Sequence, residues 1–362
     1  CKVDPKVTQF VQPNGTVVAR LDKALYGCLQ SAKLWYDQIS KSLQDLAFKV
    51  NEYDICAFSR EENDKVIWLL LHVDDMLILA SDETVIDRLV SDIEKKYTEI
   101  TVHRGKTLNY LGMQFEFLED GTVHVSMKKY VEDMLNELKI NSGRNTPAGK
   151  NLFEIDQKSE PLSELEAEKY HSDACKGLYM SKRVRPEILL AVSFLTSRVS
   201  DPTLEDNEKL LRCLQYLWKT KDEKMILSAT ENKNGSFTVY TSIDAAYGVH
   251  FDMKSHTGVA ISLGKGTVSC QSSRQKLNTK SSTEAELVAV ADGLSESIWL
   301  VHFLKSMNVQ IEENILLQDN TSTIAMIRKG RPNSRRSRHI DIKYFFVSDC
   351  EKRNEVTVRY CE

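Results

Sequence analysis

The sequence predicts a mixed α/β and α+β architecture on three observations. Two strongly apolar runs, Val66 to Val73 and Met76 to Ala80, are separated only by Asp74 and Asp75, which is the pattern of a hairpin. Beyond Pro186, the runs Ile188 to Val199 and Leu204 to Trp218 read as a pair of packed helices. From Gly235 onward the order is βββαβα with a trailing strand, an α/β domain with a mixed sheet. The 362 residues, 41% apolar and 28% charged with net charge −4, are ordinary globular composition. At roughly 150 residues per domain this suggests two or three domains with real cores.

The elements follow in chain order. Trp35, Ile39, Leu43 and Leu46 recur at steps of four, four and three, which places them on one face of a helix over Ala32 to Leu46. After the Val66–Ala80 hairpin, a further strand pair flanks Asp120-Gly121, a favoured turn dipeptide, and Met127 to Leu138 reads as a helix. Thr146 opens a Pro/Gly/Lys loop, and the acids Glu154, Asp156, Glu160, Glu164, Glu166 and Glu168 then read as a solvated linker. In the last block Phe237, Val239 and Thr241 alternate up to Ile243-Asp244. Strands Gly258 to Leu263 and Thr267 to Gln271 are joined through Gly264-Lys265-Gly266. A long helix, Ser282 to Met307, carries Leu287, Ala291, Leu294, Ile298 and Val301 on its apolar face. Then come strand Ile315 to Gln318, a short helix closed by Gly330, a basic loop, a helix, and strand Val356 to Tyr360. The predicted domains are 1–145, 146–233 and 234–362. The eight cysteines are scattered without a C-x-x-C pair, so neither a zinc site nor a disulfide framework is expected. No run approaches the ~18 apolar residues of a membrane span.

Two constellations carry chemistry. Adjacent carboxylates at a tight turn between rigid strands, Asp74 and Asp75, suit oxygen coordination of a hard cation such as Mg²⁺. Asp244 ends one strand, Asp319 follows another, and Glu286 lies on the long helix, so the three can converge at the open end of an α/β sheet. Glu286 has a competing role, because Thr283-x-x-Glu286 fits a capping box, and Ser281-x-x-Glu284 fits one equally well.

The motifs Leu25-Tyr26-Gly27 with Gln30 and Trp35-Tyr36, His72-Val73-Asp74-Asp75, and Tyr110-Leu111-Gly112 resemble, in order, those of copia-type retrotransposon reverse transcriptases. In the last block, Ser281-Ser282-Thr283-Glu284-Ala285-Glu286, Gln318-Asp319-Asn320 and Arg338-His339-Ile340-Asp341-Ile342 resemble the RNase H domain of the same elements. The resemblance implies a palm and thumb portion over 1–145, a helical connection over 146–233 and an RNase H-like domain over 234–362. It implies two-metal sites holding Mg²⁺ or Mn²⁺, with Asp74 and Asp75 as polymerase ligands and Asp244, Glu286 and Asp319 as the first three RNase H acids. Gln30, Lys33 and Gly112 would contact nucleic acid. The implied partners are RNA template, DNA primer, RNA–DNA hybrid, deoxynucleoside triphosphates and the rest of a Pol polyprotein, with no membrane. The setting would be intracellular, in a cytoplasmic virus-like particle, the nucleus of the host cell, or both.

Some positions depart from the family pattern. His72 stands where Tyr is usual, and Gln30-Ser31-Ala32-Lys33 replaces Gln-Ala-Pro-Arg, trading a bidentate guanidinium for a point charge. The family's first polymerase aspartate and last RNase H acid are expected beyond the two ends of this sequence, so both sites are read as truncated. A catalytically incomplete remnant that binds nucleic acid is the competing expectation. Asp341 and Asp349 are read as helix residues rather than the missing acid. Residues 234–362 hold 16 Lys plus Arg against 14 Asp plus Glu, a balance of +2 that leaves −6 for the rest. Arg331, Arg335, Arg336 and Arg338 concentrate that positive charge where a hybrid duplex would lie.

Overall fold

A computed structural model describes residues 10–18, 22, 24–25, 27–62, 65–97, 100–329 and 338–362. The chain forms two compact units, 1–98 and 99–362.

In the first unit, helix α1 (Leu29–Asp45) leads into strands β1 (Lys49–Val50), β2 (Ala57–Glu62), β3 (Lys65–His72) and β4 (Asp75–Leu79), then helix α2 (Glu83–Lys96). The four strands make one antiparallel sheet in sequence order. Alternate residues of β3, Ile67, Leu69 and Leu71, are buried, as the period of a strand requires. Helix α1 buries Ile39 and Leu43, and α2 buries Val85, Leu89 and Ile93 at steps of four. Asp82 caps α2 by accepting the Thr84 N–H.

The second unit holds two sheets. Strands β5 (Thr107–Tyr110), β6 (Met113–Phe117) and β7 (Val123–Ser126) form a meander, followed by helices α3 (Lys128–Glu137), α4 (Glu164–Ser181), α5 (Leu189–Thr196) and α6 (Leu204–Lys219). Strand β8 (Met225–Ala229) adds to β7. Then come β9 (Phe237–Ala246), β10 (His256–Ser262), β11 (Gly264–Lys265), β12 (Ser269–Arg274), helix α7 (Ser282–Ser306), β13 (Ile311–Gln318), α8 (Thr321–Lys329), α9 (Arg338–Lys352) and β14 (Thr357–Tyr360). One sheet has the order β11-β8-β7-β6-β5 and the other β12-β10-β9-β13-β14. In the second, β9, β10 and β12 are antiparallel while β13 and β14 run parallel to β9, the mixed sheet that the sequence predicts.

The division into units differs from the predicted domain boundaries. The β5–β7 meander shares its sheet with β8, and Val125, Met127 and Leu135 share a core with Tyr170, Leu195 and Leu217, so the break falls after Thr98 rather than after 145. The glycine linker between β10 and β12 is itself a short strand, β11, paired with β8. Much of the acidic stretch is helical as well: Ser163 and Glu166 form a capping box that starts α4, whose Tyr170, Ala174 and Met180 are buried.

Helix α7 lies on the mixed sheet and buries Ala285, Leu287, Ala289, Val290 and Leu294 with Val239, Ile243, Val259 and Leu316. It is long and apolar enough to span a bilayer by length and composition, and those apolar positions are occupied by core packing here. Gly293 permits the close approach: a Cβ there would lie 2.7 Å from Val259 Cγ2 and 2.9 Å from Ile243 Cδ1. Gly293→Val should therefore lower stability by about 2 kcal/mol through overpacking, read as a urea-midpoint shift with unchanged slope.

The seam between helix α5 and the mixed sheet is polar and aromatic. His250 Nε2 lies 2.9 Å from His256 Nδ1, and His256 Nε2 lies 2.7 Å from Ser272 Oγ on β12. Ser193 of α5 donates to the Ser272 carbonyl at 2.7 Å, and the Phe153 ring stands 4.7 Å from the His250 ring and 5.2 Å from that of His256. Both imidazoles are buried and held below their ordinary pKa by that burial, His256 down to about 4.

Candidate functional site

The sheet register places two of the three predicted acids. Ser242 of β9 pairs with Leu317 of the parallel strand β13, and Asp244 and Asp319 each stand two residues further on. They are therefore neighbours, Asp319 just past the end of β13 and Asp244 among the last residues of β9, which runs on to Ala246. The third acid, Glu286, comes from the second turn of α7, which crosses this end of the sheet. One ligand atom from each of Asp244, Glu286 and Asp319 lies within 4.8 Å of the other two.

The capping question resolves in favour of the site. Ser281 is the N-cap and accepts the Glu284 N–H, and the Glu284 carboxylate accepts the Lys280 N–H at 2.7 Å. Glu286 is left to face the two aspartates. Its carboxylate accepts from the Ala245 N–H at 3.2 Å and from Gln318 Nε2 at 3.2 Å. The Gln318 amide is itself oriented, since its oxygen accepts the Asn320 N–H at 2.8 Å, and Asn320 accepts the Thr323 N–H at the start of α8. Burial pushes Glu286 up to about 7. The Gln318 hydrogen bond pulls it down, the negative charge of Asp244 pushes it up, and smaller effects of the Ala245 N–H and Asp319 follow. Asp244 and Asp319 are exposed, so the cluster is a solvent-facing mouth with a buried carboxylate at its base. Three hard oxygen donors around an under-compensated negative charge fit a divalent cation.

The predicted hairpin is present with its register moved by one residue. His72 pairs with Asp75, so the two-residue turn is Val73-Asp74 and Asp75 opens β4. Both aspartates are exposed. Among the described residues, no third His, Cys, Asp or Glu joins them in a convergent group. Gln30 and Lys33 are exposed on α1, and Lys33 pairs with Asp37 one turn on. Gly112 has φ +73 in the β5–β6 turn, where the nearest atom to an added Cβ is Tyr179 Oη at 3.4 Å. Arg331, Arg335 and Arg336 lie outside the described residues, and Arg338 opens α9 with its side chain likewise outside them. Asp349 is exposed on α9, paired with Arg353.

Three orienting groups carry no role in the sequence reading. Gln318 stands inside a quoted motif, but its contact with Glu286 depends on the register of β13 against α7. The same holds for Trp35, whose indole N–H donates to the Val73 carbonyl at 2.6 Å, and for Tyr36, whose hydroxyl donates to the Ile55 carbonyl at 2.8 Å.

Residues 3–149 match the model of the family described as reverse transcriptase (RNA-dependent DNA polymerase). The chain is 28% identical over 92% of its length to the retrovirus-related Pol polyprotein from transposon TNT 1-94 of Nicotiana tabacum, and covers 25% of that protein. It is 24% identical over 95% of its length to the transposon Ty1-NL2 Gag-Pol polyprotein of Saccharomyces cerevisiae, covering 20% of it. The crystal structure of prototype foamy virus protease-reverse transcriptase matches 93% of this chain and 38% of its own, at 12% identity and a TM-score of 0.28, a score too low to inform the fold. The first 149 residues are thus reverse transcriptase-type sequence. Over most of its length the chain is similar to transposon Pol polyproteins, and it spans a quarter or less of the curated relatives it matches.

Proposed function

We propose that the chain carries the paired-aspartate hairpin of an RNA-directed DNA polymerase and the acidic centre of a ribonuclease H that cleaves the RNA strand of an RNA–DNA hybrid. The convergence of Asp244, Glu286 and Asp319 carries this reading for the hydrolytic half. The family match over 3–149 and the Asp74–Asp75 turn support it for the polymerase half. On this reading the domains act as palm and thumb, connection, and RNase H domain, on RNA template, DNA primer and deoxynucleoside triphosphates, inside the host cell.

Asp244, Glu286 and Asp319 would hold Mg²⁺, or Mn²⁺, at the hydrolytic centre, and Asp74 and Asp75 would hold it at the polymerase hairpin. Bound there, such ions supply an activated water and neutralise charge on the phosphodiester. The chain's own part is orientation: Ala245 N–H and Gln318 Nε2 each fix one oxygen of Glu286. Exposed Lys276 and Lys280, just ahead of α7, offer positive charge to phosphates.

The test is cleavage of a hybrid with labelled RNA by the full chain in Mg²⁺, compared with Asp319→Asn. The variant should cleave at least tenfold more slowly while binding the hybrid as well. Equal cleavage would overturn the site assignment. A second reading, nucleic-acid binding without chemistry, is favoured at the hairpin by the absence of a third ligand among the described residues. It predicts hybrid binding by both proteins and cleavage by neither.

A further inference from the structure

Among the described residues, seven non-glycine residues have positive φ, a conformation that costs an L-residue roughly 1–2 kcal/mol. Five of them, Ala47, Lys139, Met253, Asn308 and Asn354, have carbonyls that accept no side-chain hydrogen bond among the described residues. The other two are Val73, φ 56, and Leu111, φ 51, which sit in the two turns whose motifs mark the reverse transcriptase portion. In both turns the carbonyl of the left-handed residue accepts from an aromatic side chain on a helix. Trp35 Nε1–H donates to Val73 O at 2.6 Å, and Tyr179 Oη–H donates to Leu111 O at 2.9 Å.

At the hairpin this bond controls one specific torsional choice. Val73 has positive φ and Asp74 does not, which is the pattern of a type II′ turn, normally reserved for glycine at the first position. Rotating the central Val73–Asp74 peptide by half a turn converts II′ to I′. That form also suits a two-residue hairpin and needs positive φ at the second residue, which Asp tolerates. The rotation reverses the Val73 carbonyl and re-aims the Asp74 side chain, while Asp75 stays fixed by its pairing with His72. The flip would break the Trp35 bond, because the Val73 carbonyl would turn away from the indole N–H. Trp35 is held in turn: its ring stands edge-on to Tyr97 at 5.7 Å, and the Tyr97 hydroxyl lies 2.8 Å from Ser42 Oγ on α1.

We propose that Trp35 is a positioning residue which, through its indole N–H, holds the Val73–Asp74 peptide in one orientation and so fixes where Asp74 stands beside Asp75 for binding a cation. The proposal rests on the reading of those aspartates as metal ligands, and its test separates the two. The probe is Mn²⁺, titrated into the full chain carrying Asp244→Asn and Asp319→Asn, so that the remaining affinity reports the hairpin. Trp35→Phe keeps a ring against Tyr97 and removes the N–H. It should weaken Mn²⁺ binding about five- to tenfold with little change in melting. Asp74→Asn in the same background should abolish the binding. If Asp74→Asn leaves Mn²⁺ binding unchanged, the metal-ligand reading fails. If Asp74→Asn abolishes it and Trp35→Phe binds like its parent, the positioning role fails. A metal-free measurement decides the latch by itself: in Trp35→Phe the Asp74 amide should show microsecond-to-millisecond exchange in relaxation dispersion, absent from the parent. A flat dispersion profile in Trp35→Phe would overturn the proposal whatever the metal does.

Discussion

Glu286→Gln should raise the unfolding free energy of the metal-free chain at pH 8 by about 2 kcal/mol. The carboxyl is pushed from an ordinary 4.5 up to about 7, chiefly by burial, with Asp244 and Asp319 adding to the rise. In the folded chain it holds its proton up to about pH 7, whereas in the unfolded chain it releases it near 4.5. The folded state thus binds more protons across that window, so stability falls as pH rises from about 4.5 to about 7 and stays at the lower level above it. Glutamine keeps an amide oxygen for Ala245 N–H and carries no charge to bury, while its NH2 meets the Gln318 Nε2 donor, and that lost hydrogen bond offsets about 1 kcal/mol of the gain. The gain should therefore be complete at pH 8 and disappear as pH falls toward 4.5, where the lost Gln318 hydrogen bond leaves the variant slightly less stable than its parent. Mg²⁺ should stabilise the parent at pH 8, because a cation offsets the same charge, and should stabilise the variant far less. Urea unfolding of both proteins at the two pH values, with and without Mg²⁺, measures all of this. A variant no more stable than its parent at pH 8 would mean that Glu286 carries no electrostatic strain.

Periodicity and punctuation made the strongly patterned parts of the fold legible. The hairpin at Asp74-Asp75, the turn at Asp120-Gly121, helices α5 to α9 and the succession of strands and helices along the last block all follow from local signals. What was lost has local causes. Helix α4 was hidden because its first turns are dense in Glu, and the Ser163–Glu166 capping box was the signal that could have revealed it. Strands β8 and β11 are short, and their pairing joins Lys265 to Ser228 across the two intervening strands β9 and β10, a separation that no local pattern reports. The acid cluster was legible because strand ends in an α/β sheet are where such sites form, and the register then made Asp244 and Asp319 neighbours. The choice between two caps for α7 was not legible, because Thr283-x-x-Glu286 and Ser281-x-x-Glu284 satisfy the same rule. It is decided by where the chain enters the helix, which puts the Lys280 and Glu284 amides in reach of the Ser281–Glu284 pair. The hairpin's one-residue register shift has the same character. Spacing identified the acids, while Trp35, which grips the turn, shares with Val73 only a tertiary contact.

The same Glu286→Gln background should expose an opposite pH dependence at the seam between helix α5 and the mixed sheet. Burial holds His256 near 4 instead of 6.5, the neighbouring His250 lowers it further, and His250 is also depressed, by burial and then by Arg274. Around His250, Asp252 pulls the other way and Lys254 adds to the depression. The two rings share one hydrogen bond at 2.9 Å, which needs one nitrogen bare, so protonating both rings removes the acceptor and sets two cations face to face. Here the unfolded chain binds the extra proton, so stability is full above about pH 6.5 and is lost as pH falls toward about 4. Between pH 7 and 5 the loss should be about 2 kcal/mol from His256 alone. In the parent, the Glu286 contribution over the same two pH units is of similar size and opposite sign, so the metal-free parent should look nearly insensitive to pH there. Glu286→Gln removes one of the two slopes and lets the other show. Adding His256→Gln should lower stability at pH 7.5, through the lost Ser272 and His250 hydrogen bonds, and flatten the profile down to pH 5. A slope that survives His256→Gln in the Glu286→Gln background would move the acid sensitivity away from this pair of imidazoles.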